Sequence, residues 1–141
     1  MSRDIENVMS DIAHLLEDRV FFSLTQHLRE KHAEPVDTGM TDSAGVPITT
    51  GHICQFWVID GVEQFFTEEP KQHPQGKVLR EVVVVDRNEK GIFLGVDYDV
   101  MEAGPLDTFA GKCVVLGHVN TDEGMQALHD GLQRFGAVVT S

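Results

Sequence analysis

Residues 53–67 read ICQFWVIDGVEQFFT. Two runs of aromatic and β-branched residues flank Asp60-Gly61, a dipeptide that favours the tight type I′ turn, so the stretch reads as a β-hairpin of 53–59 and 62–67. With a two-residue loop, Ile59 opposes Val62, Trp57 opposes Gln64 and Phe56 opposes Phe65. Alternation then puts Ile53, Gln55, Trp57, Ile59, Val62, Gln64 and Phe66 on one face. His52, Cys54, Phe56, Val58, Glu63, Phe65 and Thr67 fall on the other. Both faces are rich in apolar side chains, and a sheet of that kind needs two covers.

Downstream, 78–86 and 92–100 form a second hairpin across RNEKG, the first of these strands apolar on both sides. A fifth strand over 112–119 follows the loop GPLDTFAGK. It leads to Asn120, a helix cap with Glu123 placed to complete a capping box. Met125, Leu128, Leu132 and Phe135 make the apolar stripe of that helix, Gly136 ends it, and 137–140 resumes as a short strand. Strand, helix, strand normally means a right-handed crossover between parallel strands.

Upstream, 34–51 (EPVDTGMTDSAGVPITTG) has no periodicity and reads as a loop. Before it, Ser2 caps a helix whose stripe runs through Ile5, Val8, Ile12, Leu16, Val20, Leu24 and Leu28 to Lys31 and His32. Unbroken, that helix would be about 45 Å long, more than a domain of this size is wide, so it breaks near Asp18 and Arg19 or packs on a second subunit. The expected fold is one α+β domain over 1–141. It has a mixed, mainly antiparallel sheet of five or six strands (two hairpins, then strand-helix-strand) and a long N-terminal helix.

The chain has 141 residues, 41% apolar and 24% charged, with a net charge of −12. Residues 1–70 hold 13 acids and 4 bases; residues 71–141 hold 10 and 7. That field, without a Lys/Arg cluster, repels nucleic acid and anionic membrane surfaces. No apolar run approaches the roughly 20 residues of a membrane helix, and Asp4, Glu6 and Asp11 break any signal-peptide pattern. A cytoplasmic location is expected. Cys54 and Cys113 sit in apolar strands as small hydrophobes.

No motif names an activity. Asp97, Asp99 and Glu102 could offer oxygen ligands to a divalent cation, but the blander reading is a solvated strand end. His52, Cys54, Cys113 and His118 lack zinc-ligand spacing, so neither metal nor cofactor is expected. Histidines 14, 27, 32 and 129 read as helix boundary residues. Nucleophile elbows and phosphate loops are absent. The aromatic hairpin remains. There Gln55, Trp57 and Gln64 form a candidate small-ligand site, roofed partly by the 34–51 loop. The leading functional expectation is a binding or interaction module acting as a homo-oligomer, since two apolar sheet faces and an overlong helix ask for more cover than one chain gives. One alternative is a small enzyme whose acid-base groups, such as His118, His52 and Asp97, assemble only in the fold. Another is an acidic decoy for a basic, nucleic-acid-binding protein.

Overall fold

The computed structural model describes residues 19–71 and 76–132. In chain order these form α1 (helical over 19–31), β1 (Asp37–Thr41), β2 (Pro47–Thr49), β3 (His52–Ile59), β4 (Val62–Phe66), β5 (Val78–Arg87), β6 (Phe93–Asp97) and β7 (Glu102–Pro105). Two 3₁₀ turns (Leu106–Thr108 and Ala110–Lys112), β8 (Val114–His118) and α2 (Asp122–Gly131) complete them.

Six strands make one sheet in the order β4-β3-β5-β6-β7, with β8 also paired to β3. β3 is its hub. One side of β3 pairs with β5 from Ile53 to Ile59. The other side is divided, with β8 alongside His52 to Gln55 and β4 alongside Trp57 to Ile59. Every pairing among the described strands is antiparallel. The parallel partner expected at 137–140 lies outside the described residues, as does the predicted helix before residue 19.

The double-sided apolar pattern is met by two covers. On one face Ile53, Val82 and Val84 pack with Leu28 of α1, Val119, and Met125, Leu128 and Leu132 at α2. On the other, Cys54, Phe56, Val83 and Val85 pack with Ile48 of the β1–β2 ribbon and with Leu106, Phe109, Ala110 and Cys113 of the 3₁₀ segment. Much of the second cover is therefore supplied by the chain itself. This weakens one of the two sequence arguments for a second subunit.

Several local expectations are corrected. The 34–51 segment is not a structureless loop, because β1 and β2 pair within it. Asp42 holds the ribbon shut. One of its carboxylate oxygens accepts from the Ala44 and Val46 amides and the other from the Val115 amide, each at 2.9 Å. In the aromatic hairpin Trp57 opposes Phe66 and Val58 opposes Phe65, a slip from the predicted register between Val58 and Ile59. Its turn is not type I′, which needs positive φ at both central residues; only Gly61 (φ 81°) has it. The strand expected over 92–100 ends at Asp97, whose carboxylate accepts from the Asp99 amide in a turn that reverses the chain into β7. Finally, Thr121 rather than Asn120 caps α2, accepting from the Gly124 amide at 3.0 Å. Asn120 donates its side-chain amide to the His32 carbonyl instead.

Candidate functional site

On the ribbon side of the sheet the second cover, as formed by the described residues, is incomplete. Where it stops, a groove of about 580 Å³ opens between β3, β5, β6, β7 and the first 3₁₀ turn. Its apolar surface comes from Phe56, Val58, Phe65, Val83 and Phe109, with Val100 and Pro105 at the mouth. The rings form one unit, Phe56 stacking on Phe109 at 4.5 Å between centroids and meeting Phe65 edge-on at 5.5 Å. Gly95 makes room for this unit. A Cβ there would lie 2.4 Å from the Phe109 ring.

Glu81, Asp97 and Glu102 supply the acidic part of the lining. Asp97 and Glu102 are direct cross-strand partners, a like-charge placement that is unfavourable unless something compensates. Glu81 provides the compensation. Burial, a side-chain hydrogen bond with Asp97, and the charges of Asp97, Asp99 and Glu102 push its carboxyl up to about 8. It is thus largely protonated at neutral pH and donates to Asp97. These acids come from 81–102, not from the acid-rich first 70 residues that motivated the decoy reading.

The three residues singled out from the sequence lie elsewhere and do not form a unit. Gln55 and Trp57 point to the helix-covered face, and Gln55 accepts from the Arg80 guanidinium at 2.6 Å. Trp57 lies between Arg80 on β5 and Phe66 on β4. Gln64 is exposed in the slipped segment of β4. The β1–β2 ribbon, expected to roof Trp57, packs on the opposite face. Of the residues named for acid-base work, His52 and His118 are cross-strand neighbours with rings 5.3 Å apart, whereas Asp97 lines the groove.

Cys54 and Cys113 are buried and not disulfide-bonded. Their thiols meet in a hydrogen bond that pushes Cys54 up and draws Cys113 down. Among the described residues no group of three or more His, Cys, Asp or Glu side chains is arranged to hold a metal ion. Nor is any described helix long and apolar enough to cross a membrane.

Sequence reasoning missed Glu81 and Phe109, and it named Glu102 only as a possible cation ligand beside Asp97 and Asp99. A signal for Glu81 was present, since it and its neighbour Arg80 are the only charged residues within the otherwise apolar run Val78–Val85. Phe109 sat in a Gly- and Pro-containing stretch with no period to mark it. No family model, curated protein or solved structure matches the chain.

Proposed function

We propose that the protein is a small-molecule binding module whose ligand occupies this groove. The groove itself carries the reading. It has the volume of a small-ligand site, an aromatic floor, and a few polar groups gathered at one side. Carboxyl groups on an apolar wall suit a ligand with an apolar body and an amine or other cationic end. The aromatic hairpin keeps its role from the sequence reading, but through Phe56, Val58 and Phe65 rather than Trp57.

The test is amide chemical-shift mapping with phenethylamine, 2-phenylethanol and phenylacetate as probes of one shape and three charges. Phenethylamine should move amides of β5, β6 and 102–109 and bind more tightly than the alcohol, with the acid weakest. Thr108→Trp, at an exposed wall position, should block all three without disturbing the core. Shifts confined to other surfaces, or an equal response from Thr108→Trp, would refute the proposal.

A second reading, acid-base catalysis, is favoured by one observation: a carboxyl raised to about 8 beside a second carboxyl is suited to giving and taking a proton near neutral pH. Self-association remains a proposal as well. It rests on Val20 and Phe22, apolar residues exposed on α1. Light scattering after size exclusion, with Phe22→Glu as the comparison, tests it.

A further inference from the structure

Three histidines from separate parts of the chain converge at the joint between the end of α1, the turn entering β3, and the end of β8. His32, only 2% exposed, follows α1; His52 opens β3; His118 closes β8. Gly51 fills the gap between His32 and His118. A Cβ at Gly51 would lie 2.6 Å from the His118 ring and 2.9 Å from the His32 Cβ. His52 and His118 meet edge-on.

The hydrogen bonds fix how these rings are protonated. His52 Nδ1 accepts from the Thr49 amide at 2.9 Å. His118 Nδ1 accepts from the Asn120 amide at 3.1 Å, and its Nε2 donates to the Thr50 carbonyl at 3.0 Å. Both rings are neutral while they accept, because a protonated imidazole has donors at both nitrogens and no acceptor left. His32 Nε2 is buried and has no hydrogen-bond partner among the described residues. The Asn120 side chain, which donates to the His32 carbonyl, ties the end of α1 to the same turn.

We propose that His32, His52 and His118 form an acid-sensitive latch. Their neutral rings hold the end of α1, the β1–β2 ribbon and the β8–α2 turn together, and uptake of protons opens this joint while the β5–β6 region stays folded. A proton on Nδ1 of His52 or His118 turns the acceptor of a backbone N–H into a second donor facing it. A proton reaching His32 creates a charge in a buried site. The groups around the latch do not neutralise it fully. His32 faces Asp86, but also Lys31, His118 and His27, and Asp86 is already ion-paired with Lys31. His52 faces His118 and, from the ribbon, Asp42. Burial outweighs Asp86 at His32 and Asp42 at His52, so both imidazoles stay below their ordinary range.

Native-state hydrogen exchange of the full chain, corrected for intrinsic exchange and followed from pH 7.5 to 5, tests the latch. The amides of Thr49, Val119 and Asn120 should lose about tenfold or more of their protection as pH falls through the range where a free histidine titrates. Amides of the Val84–Val96 and Val85–Gly95 pairs should change far less. His52→Asn keeps an acceptor for Thr49 without a titrating ring, and His32→Leu removes the orphaned nitrogen. Each should flatten the pH dependence at the joint. Uniform loss across the sheet in the unaltered protein would overturn the proposal even if His32→Leu does not fold. So would a local loss that His52→Asn leaves unchanged.

Discussion

Glu81 and Asp97 are joined carboxyl to carboxyl, an arrangement that works only while one proton is held between two acids. The proton resides on Glu81, beside the stacked rings of Phe56 and Phe109. The groove therefore has a charge state that depends on pH and on whatever occupies it, since an ammonium group placed there would take the proton's role as the positive partner.

This pair makes the protein less stable in base. Glu81 has a folded value near 8 against an ordinary 4.5, so between these limits the native state binds more protons than the unfolded one. Its contribution is fully present below pH 4.5 and is lost as pH rises through 8. Glu81→Gln, which keeps a donor for Asp97, should raise stability at pH 9 by about 1–2 kcal/mol, allowing for solvent screening of a half-buried group, and change it little at pH 5. Urea titrations at the two pH values would show this. Curves displaced equally at both would contradict it.

Asp42 works in the opposite sense. Burial raises its carboxyl, but the backbone amides of Val115, Val46 and Ala44 outweigh burial and hold it below its ordinary value. Its stabilisation is present above pH 3.8 and disappears as pH falls through the lowered folded value. Asp42→Ala leaves those amides without their acceptor and should cost about 2–3 kcal/mol at pH 7. Asp42→Asn, with one acceptor oxygen left, should cost less. A loss under 0.5 kcal/mol for the alanine variant, on the order of an ordinary surface change, would mean the ribbon is not held by this residue.

Gly124 sits within α2, where alanine normally adds about 1 kcal/mol of helix stability. Here a Cβ would lie 2.1 Å from the His118 carbonyl oxygen and 2.6 Å from its amide nitrogen. Gly124→Ala should therefore destabilise by about 1–3 kcal/mol as the helix is pushed off β8. Gly104→Ala, with no atom of the described residues within 4 Å of the added methyl, should be near neutral. Thermal melts of the two variants make the comparison. A stabilised Gly124→Ala would mean that α2 packs less closely.

Trp57 provides a positional readout. It lies on the helix-covered face, whereas the groove is on the other, so filling the groove with phenethylamine should raise the melting temperature with little change in tryptophan emission. Strong quenching would instead place the ligand beside Gln55 and Trp57.

The two main hairpins were legible because each announces itself locally: Val82 to Val85 has no polar break, and Asp60-Gly61 and RNEKG are turn sequences. The slip at Val58 was not, because residue types alone do not encode a bulge. β1, β2 and β7 were missed for a related reason. Strands such as PIT and EAGP are too short to show alternation. Their pairing depends on Asp42 reaching Val115 and on Asp97 turning the chain, contacts that exist only after folding. The groove inherits this difficulty. Phe56 and Phe65 were visible as an aromatic cluster, but their face was filled on one side by Phe109 and lined on the other by Glu81, from parts of the chain read as loop and as buried strand.

The divided edge of β3 has a consequence for how the chain is made. β4 leaves the ribosome directly after β3 and can pair with Trp57 to Ile59 at once, but β8 is synthesised much later. Until then the backbone of His52 to Gln55 has no neighbour on that side, and apolar Ile53 and Cys54 belong to an open strand edge. Such an edge accepts a strand from any nearby chain. Nascent chains cut short or stalled before Val114 would carry a sticky seam that the finished protein conceals.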